Sequence, residues 1–241
     1  MKLIIVRHAD PDYEKDSLTE KGFKEADLLS NRIAKLDIKK AYCSPYGRTQ
    51  DTSKPSLKKL GTEAETLDWL KEFPGYIINP ANGEKSIPWD FLPSFWTADD
   101  RFYDRKQWRD IDIMKTGNAV EIYDSVCQKL DSLLLKHGYE HCGGYYKAIS
   151  PNTDTIIMFC HFGIECVMLS HILGFSPFVF WQNFIALPSS VTTLITEERE
   201  QGTASFRCNG FGDISHLYAF DEPPAFAGRF CEVYTNFEER H

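Results

Sequence analysis

No run of apolar residues in this 241-residue chain reaches the ~18–20 that a membrane span needs. The apolar stretch at the start, MKLIIV, meets Arg7 and His8 at once and is too short for a signal-peptide core. There is no surplus of positive charge either. Lys and Arg number 27 against 35 Asp and Glu, for a formal net charge of −8. Nucleic acid and anionic membrane both reward a basic surface, so neither is expected as a partner. The cysteines (Cys43, Cys127, Cys142, Cys160, Cys166, Cys208 and Cys231) are odd in number and form no CxxC pair. That pattern speaks for free thiols in a reducing compartment, and a cytoplasmic protein is expected. P-loop and dinucleotide fingerprints are missing, and no carboxylates stand at metal-ligand spacing, so no cofactor is expected. His137, His141 and Cys142 lie close together, but Gly138 interrupts any helix between the two histidines, so no metal site is expected there.

What is present suits one α/β domain over residues 1–241 with a sizeable insertion. Leu3 to Val6 is a continuous apolar run that reads as a buried strand ending at Arg7 and His8. Ser17 to Lys35 reads as a helix with a capping box at Ser17 and Glu20 and an apolar face of Phe23, Ala26, Leu29, Ile33 and Leu36. A strand at Lys40 to Cys43 precedes Ser44-Pro45, which suits a helix cap followed by proline, so Tyr46 to Leu60 is expected to be helical. A short strand is expected near Glu65 to Leu67. Residues 73–117 have no clean period yet hold Tyr76, Trp89, Phe91, Phe95, Trp96, Phe102, Tyr103 and Trp108. Linkers are not this aromatic, so the segment reads as an inserted cap with little regular structure, serving as a pocket roof, a small satellite core, or both. Arg101, Arg105, Lys106 and Arg109 within it read as a solvated face. Ala119 to Lys136 is an amphipathic helix pattern with Val120, Tyr123, Cys127, Leu130 and Leu134 on one face, and His137 to Asn152 reads as a loop. Thr155 to Cys160 is a second buried strand, ending at His161. A helix from Gly163 to Leu173 closes at Gly174. Val191 to Thr196 and Ala204 to Asn209 read as a hairpin, and the tail beyond Phe220 has no clear pattern. Alternating strands and helices predict a doubly wound, mostly parallel sheet flanked by helices, with a possible antiparallel edge.

In such sheets ligands bind beyond the carboxyl ends of the strands. Arg7-His8, Ser44 to Arg48, and His161 all follow strand ends. If those strands are parallel neighbours, two histidines and two arginines meet in one crevice. A transferring phosphoryl group needs such positioned cations and donors, and a neutral imidazole can attack phosphorus. Each element alone has a plainer reading. Ser44-Pro45 is explained as a cap, His161 could be a satisfied structural histidine, and His216 reads as a turn residue near the site. The order and placement together favour the chemical reading.

The chain resembles the histidine phosphatase superfamily, also called phosphoglycerate-mutase-like. The resemblance rests on Val6-Arg7-His8-Ala9, Leu18-Thr19-Glu20-Lys21-Gly22 with Ala26, and Tyr42-Cys43-Ser44-Pro45 with Arg48-Thr49-Gln50 and Thr52. It continues in Leu70-Lys71-Glu72, His161-Phe162-Gly163 and Pro188-Ser189-Ser190-Val191-Thr192. It implies that His8 is the nucleophile that becomes phosphorylated, that Arg7 and Arg48 clamp the phosphate, and that His161 donates to it. The proton donor to the leaving group would be Glu72, with Asp68 as the other candidate. Residues 73–117 fall where members carry a variable substrate-covering segment. No metal or cofactor is implied, and the partner would be a small phosphorylated substrate. Ala9 replaces the family's usual glycine. Only Ala9 to Ser17 separate the first two motifs, whereas glycolytic mutases carry a long segment there. This favours a phosphatase over a mutase-type phosphoryl transferase. A catalytically inactive phosphate-binding module is the third reading, and retention of both histidines, both arginines and a candidate acid weighs against it.

Overall fold

The computed structural model describes residues 1–236. The main elements are β1 (Lys2–Arg7), α1 (Glu20–Ile33), β2 (Ile38–Cys43), α2 (Gly47–Leu60), β3 (Ala64–Thr66), α3 (Ala119–Lys136), β4 (Tyr139–Cys142), β5 (Tyr145–Ala148), β6 (Thr155–Cys160), α4 (Phe162–Leu173), α5 (Pro177–Asn183), β7 (Val191–Glu200) and β8 (Thr203–Asp213). One eight-stranded sheet has the order β3-β2-β6-β1-β7-β8-β5-β4. Strands β3, β2, β6 and β1 are parallel neighbours. From β1 outward, each pairing through β7, β8, β5 and β4 is antiparallel. The α/β expectation holds, and the antiparallel part is half of the sheet rather than an edge.

The period-2 alternation of the buried strands explains the layers. Leu3 and Ile5 of β1, with Ile156 and Met158 of β6, enter a core beneath α3 and α4. Ile4 and Val6, with Ile157 and Phe159, enter a second core with Leu29 and Ile33 of α1. Burying each such side chain contributes ~1.5–3 kcal/mol, so an unbroken apolar run is stable only between two helical layers.

Several local expectations shift. α1 starts later than Ser17, because Ser17–Leu18 pairs with Pro11–Asp12 in a small ribbon. The cap is Thr19, whose side chain accepts from the Gly22 amide. A Cβ on Gly22 would overlap the Asp10 carbonyl, so only glycine lets that loop pack on the helix. The buried stripe accordingly runs Gly22, Ala26, Leu29, Ile33, and Phe23 falls outside it, half exposed. Helix α2 is capped at Tyr46, not Ser44. The expected loop at 137–152 contains the hairpin β4–β5, turning at Gly143-Gly144. Helix α3 has the expected bounds, α4 begins one residue earlier at Phe162, and Gly174 adopts the left-handed conformation that closes it.

Residues 73–117 contain a two-stranded ribbon, one short helix and 3-10 turns. Trp108, Phe102 and Trp96 are buried in the α3–α4 core. Phe102 packs on Phe178 of α5 with ring centroids 4.6 Å apart, so the segment builds a satellite core. Among the described residues no helix is long and apolar enough to cross a membrane.

Candidate active site

Because β2, β6 and β1 are adjacent and parallel, their carboxyl ends deliver Ser44, His161 and Arg7-His8 to one crevice. The backbone locks His8 in place. Its amide donates to the Cys160 carbonyl at 3.0 Å, and its carbonyl accepts from the Ser189 amide at 3.0 Å. Its ring is 2% exposed, with Nδ1 2.8 Å from the Ala9 carbonyl. A carbonyl only accepts, so Nδ1 carries the proton and Nε2 keeps its lone pair. Burial, then Arg7 and Arg48, hold the imidazole well below its ordinary pKa and hence neutral.

The His161 ring lies 5.1 Å from that of His8, centroid to centroid. Its Nε2 is 2.9 Å from Ser44 Oγ and 3.1 Å from Thr49 Oγ1. The Tyr46 amide donates to Ser44 Oγ at 3.3 Å, leaving the hydroxyl proton for His161. That arrangement puts the ring proton on Nδ1, a buried atom with no partner among the described residues. Burial first, and the charges of His8, Arg48 and Arg7 after it, depress the His161 pKa.

Arg7 is buried, and its Nη1 donates to the Ala186 carbonyl at 2.5 Å. Arg48 pairs with Asp16 at 2.6 Å and lies over the Tyr46 ring, 4.6 Å from its centroid. The Nε–H of Arg7 and that of Arg48 are both buried and lack acceptors among the described residues. Buried donors are nearly always paired. Three orphaned N–H groups beside one neutral imidazole form a constellation suited to an anion that brings its own acceptors.

Glu72 follows the 3-10 turn Asp68–Leu70 beyond β3. Its Oε1 accepts from the Phe73 amide at 2.8 Å and from the Ile164 amide, in the first turn of α4, at 3.2 Å. Burial raises its pKa, and these donors with Arg7 and Arg48 offset only part of the effect. A Cβ on Gly163 would fall 2.6 Å from both Glu72 Oε1 and the Trp89 ring. Trp89, from the inserted segment, therefore stands beside the carboxyl, held by Gln182 Nε2 donating to its carbonyl at 2.7 Å. Asp68 is elsewhere: its side chain is 85% exposed and pairs with Lys71.

Other residues emerge only from the fold. Ser44 and Thr49 serve His161, although Ser44 reads locally as a cap. His216 bonds Ser189 Oγ at 3.1 Å, and Ser189 in turn holds the His8 carbonyl. Ser189 has φ +60°, a strained conformation for serine. Glu165 is buried against Thr192, and desolvation pushes its pKa up to about 7. The tail lies here too: the Gly228 backbone touches the Arg7 guanidinium where any side chain would collide, and Arg229 Nε is a further buried donor without an acceptor. The glycine was the one hint of this in a tail without pattern. Three of the four basic residues of the insertion make their contacts outside the crevice. Arg101 pairs with Asp99, Arg109 with Asp124, and Arg105 donates to the Gly143 carbonyl.

The family model "Histidine phosphatase superfamily (branch 1)" matches residues 3–77. A Schizosaccharomyces pombe protein described as a probable phosphatase is 26% identical over 232 residues, covering 90% of this chain and 95% of that one. Phosphoserine phosphatase of Entamoeba histolytica, solved with phosphoserine, superposes with a TM-score of 0.58 at 18% identity, over 90% of this chain and 98% of that one. Mycobacterial glucosyl-3-phosphoglycerate phosphatase gives a TM-score of 0.57 at 14% identity, over 88% and 98%. These two structures share the fold, and the matched model spans β1, α1, β2, α2 and the Glu72 turn. Over residues 3–77 the chain is thus similar to the histidine phosphatase superfamily, branch 1, and over most of its length to a probable phosphatase.

Proposed function

We propose that this protein is a metal-independent phosphatase that hydrolyses the phosphate monoester of a small organic substrate through a phosphohistidine on His8. The observation that carries the reading is the set of three buried, unpartnered donors (Arg7 Nε, Arg48 Nε and His161 Nδ1) beside a neutral His8. A phosphoryl group supplies the acceptors they lack, and its developing charge strengthens each bond in the transition state.

The chemistry balances in two steps. His8 Nε2 attacks phosphorus, forming an N–P bond as the P–O bond to the leaving group breaks. Glu72, kept protonated by its raised pKa, gives that oxygen its proton. The resulting carboxylate then takes a proton from water, whose oxygen attacks phosphorus. The N–P bond breaks, phosphate leaves, and His8 and Glu72 return to their starting forms. The Nδ1–H bond to the Ala9 carbonyl stabilises the positive charge on the imidazole while phosphate is attached.

We read residues 73–117 as a cap, with Trp89 as its contribution to the leaving-group side. An apolar wall there suits an organic ester. The relatives described as acting on phosphoserine and glucosyl-3-phosphoglycerate support a small phosphorylated metabolite as substrate class. The seven cysteines are all free, which supports the reading of a cytoplasmic protein.

The test is hydrolysis of an aryl phosphate in chelator by the wild type and by His8→Ala, with rapid quenching to trap acid-labile phosphate on the protein. Chelator-resistant turnover and trapped phosphate, both lost in the variant, are expected. Equal turnover in the two proteins sinks the mechanism.

A further inference from the structure

A second histidine cluster lies away from this crevice. Asp131 on α3, His141 on β4 and His171 on α4 each offer a ligand atom, and the three atoms lie within 4.8 Å of one another. His171 is ten residues along α4 from His161, roughly 15 Å at 1.5 Å per residue. Asp131 Oδ1 is 2.8 Å from His171 Nε2, and its Oδ2 is 3.1 Å from His141 Nδ1. The imidazoles meet edge to face at 4.5 Å. The His side chains are 17% and 16% exposed, and the Asp 30%.

The proton count shows that this cluster is built around a cation. His141 Nε2 is 3.0 Å from the Gly143 carbonyl, which can only accept, so Nε2 carries the proton. In a neutral ring the Nδ1 lone pair then faces a carboxylate oxygen, which is repulsive. A cation between them removes the repulsion. That cation is either a second ring proton or a metal ion. A ring nitrogen donating to a backbone carbonyl while the other faces the ion is the usual outer support of a metal-ligating histidine.

We propose that Asp131, His141 and His171 bind a divalent transition-metal ion, zinc being the ion tested, that ties α3, the β4–β5 hairpin and α4 together. Two ligand atoms on a tetrahedral zinc sit ~3.3 Å apart at bond lengths of ~2.0 Å, so the two Asp–His separations of 2.8 and 3.1 Å already suit it, and side-chain rotation closes the remaining one from within 4.8 Å. Asp131 is the carboxylate free to balance the ion, since Asp124 nearby is already paired with Arg109 at 2.6 Å. His141 and His171 line a cleft of about 260 Å³ together with Arg105 and Lys106, from which a fourth ligand would come. Those cations favour an anionic or water ligand there. Three protein ligands from three elements hold the hairpin at the open edge of the sheet, where pairing to β8 involves Tyr146 and Lys147 alone. The site is structural, so catalysis in chelator is compatible with it.

The test is metal-stripped protein equilibrated with Zn²⁺ alone, followed by elemental analysis and thermal melting. Wild type is expected to bind one ion more per chain than His141→Gln or His171→Gln. Its Tm should rise by about 5–10 °C at a hundredfold excess over Kd, with no rise in either variant. A wild type without a zinc response overturns the proposal and leaves the cluster holding a proton. Equal responses in wild type and variants overturn it too, placing the ion on thiols or other histidines. If a variant does not fold, the Co²⁺ spectrum of the wild type decides. Ligand-field bands of nitrogen and oxygen donors support the site, and a thiolate charge-transfer band overturns it.

Discussion

The Glu72 carboxyl occupies the space that a side chain at Gly163 would need. A Cβ there would come within 2.6 Å of Oε1, and the same carboxyl accepts the Ile164 amide. The glycine two residues after His161 is thus a clearance for the Glu72 carboxyl. Gly163→Ala is expected to push Glu72 off the Ile164 amide. Glu72→Gln removes the proton itself and should cost ~10²–10⁴-fold in kcat on alkyl phosphates. Aryl phosphates, whose leaving groups need little protonation, should lose far less with either variant. Rates across a series of leaving-group pKa values check this, and a uniform loss would show that Glu72 is not the proton donor.

One carboxylate does two jobs at the start of α2. Asp16 Oδ1 holds Arg48 at 2.6 Å, and its Oδ2 accepts the Gly47 amide at 2.7 Å. Asp16→Ala should cost ~1 kcal/mol in chemical denaturation through the lost cap. It should also raise KM several-fold, because Arg48 loses its brace. Asp16→Asn should keep most of the cap and show the KM effect alone. An unchanged KM in both would mean that Arg48 is held by its stacking on Tyr46 and Tyr13.

Glu165 sets a pH dependence of stability. Burial pushes its pKa up to about 7 from an ordinary 4.5. Between those values the folded state holds a proton that the unfolded chain has lost. Its contribution is therefore fully present below pH ~4.5 and is lost as pH rises through 7, by about 3 kcal/mol in all. Glu25, also pushed up to about 7, acts in the same window. His216 acts oppositely: pushed down to about 4, it contributes fully above pH ~6.5 and loses that contribution as pH falls. Glu165→Gln should lessen the loss of stability between pH 5 and pH 8 and leave the acid limb unchanged. Urea denaturation at several pH values checks it, and identical slopes in both proteins would show that Glu165 is ionised in the fold.

What was legible in the chain follows how local each determinant is. β1 and β6 were readable because four or more consecutive apolar residues have few alternatives to a strand buried on both faces. α3 was readable because its apolar spacing is carried within eighteen residues. The β4–β5 hairpin was not. Its strands have four residues each and are held by pairing with each other, by two positions on β8 and by burial of Tyr139, Tyr146 and Ala148 in the core, so only Gly143-Gly144 marked it. Ser17 offered a cap that the Pro11–Asp12 ribbon claimed first, and Ser44 offered another that His161 claimed.

By itself, the sequence determined which residues the crevice has to work with. Arg7, His8, Arg48 and His161 each stand at or just beyond a strand end, and a parallel sheet necessarily gathers such ends on one edge. The different surroundings of Glu72 and Asp68 belonged to the tertiary structure, because they depend on burial: one is drawn beside Trp89 and the start of α4, and the other is left in water beside Lys71. The protonation states of His8 and His161, the place of the tail against Arg7, and the meeting of Asp131, His141 and His171 were likewise decided there. Each depends on desolvation or on contacts between residues far apart in the chain, and neither is encoded in any local pattern.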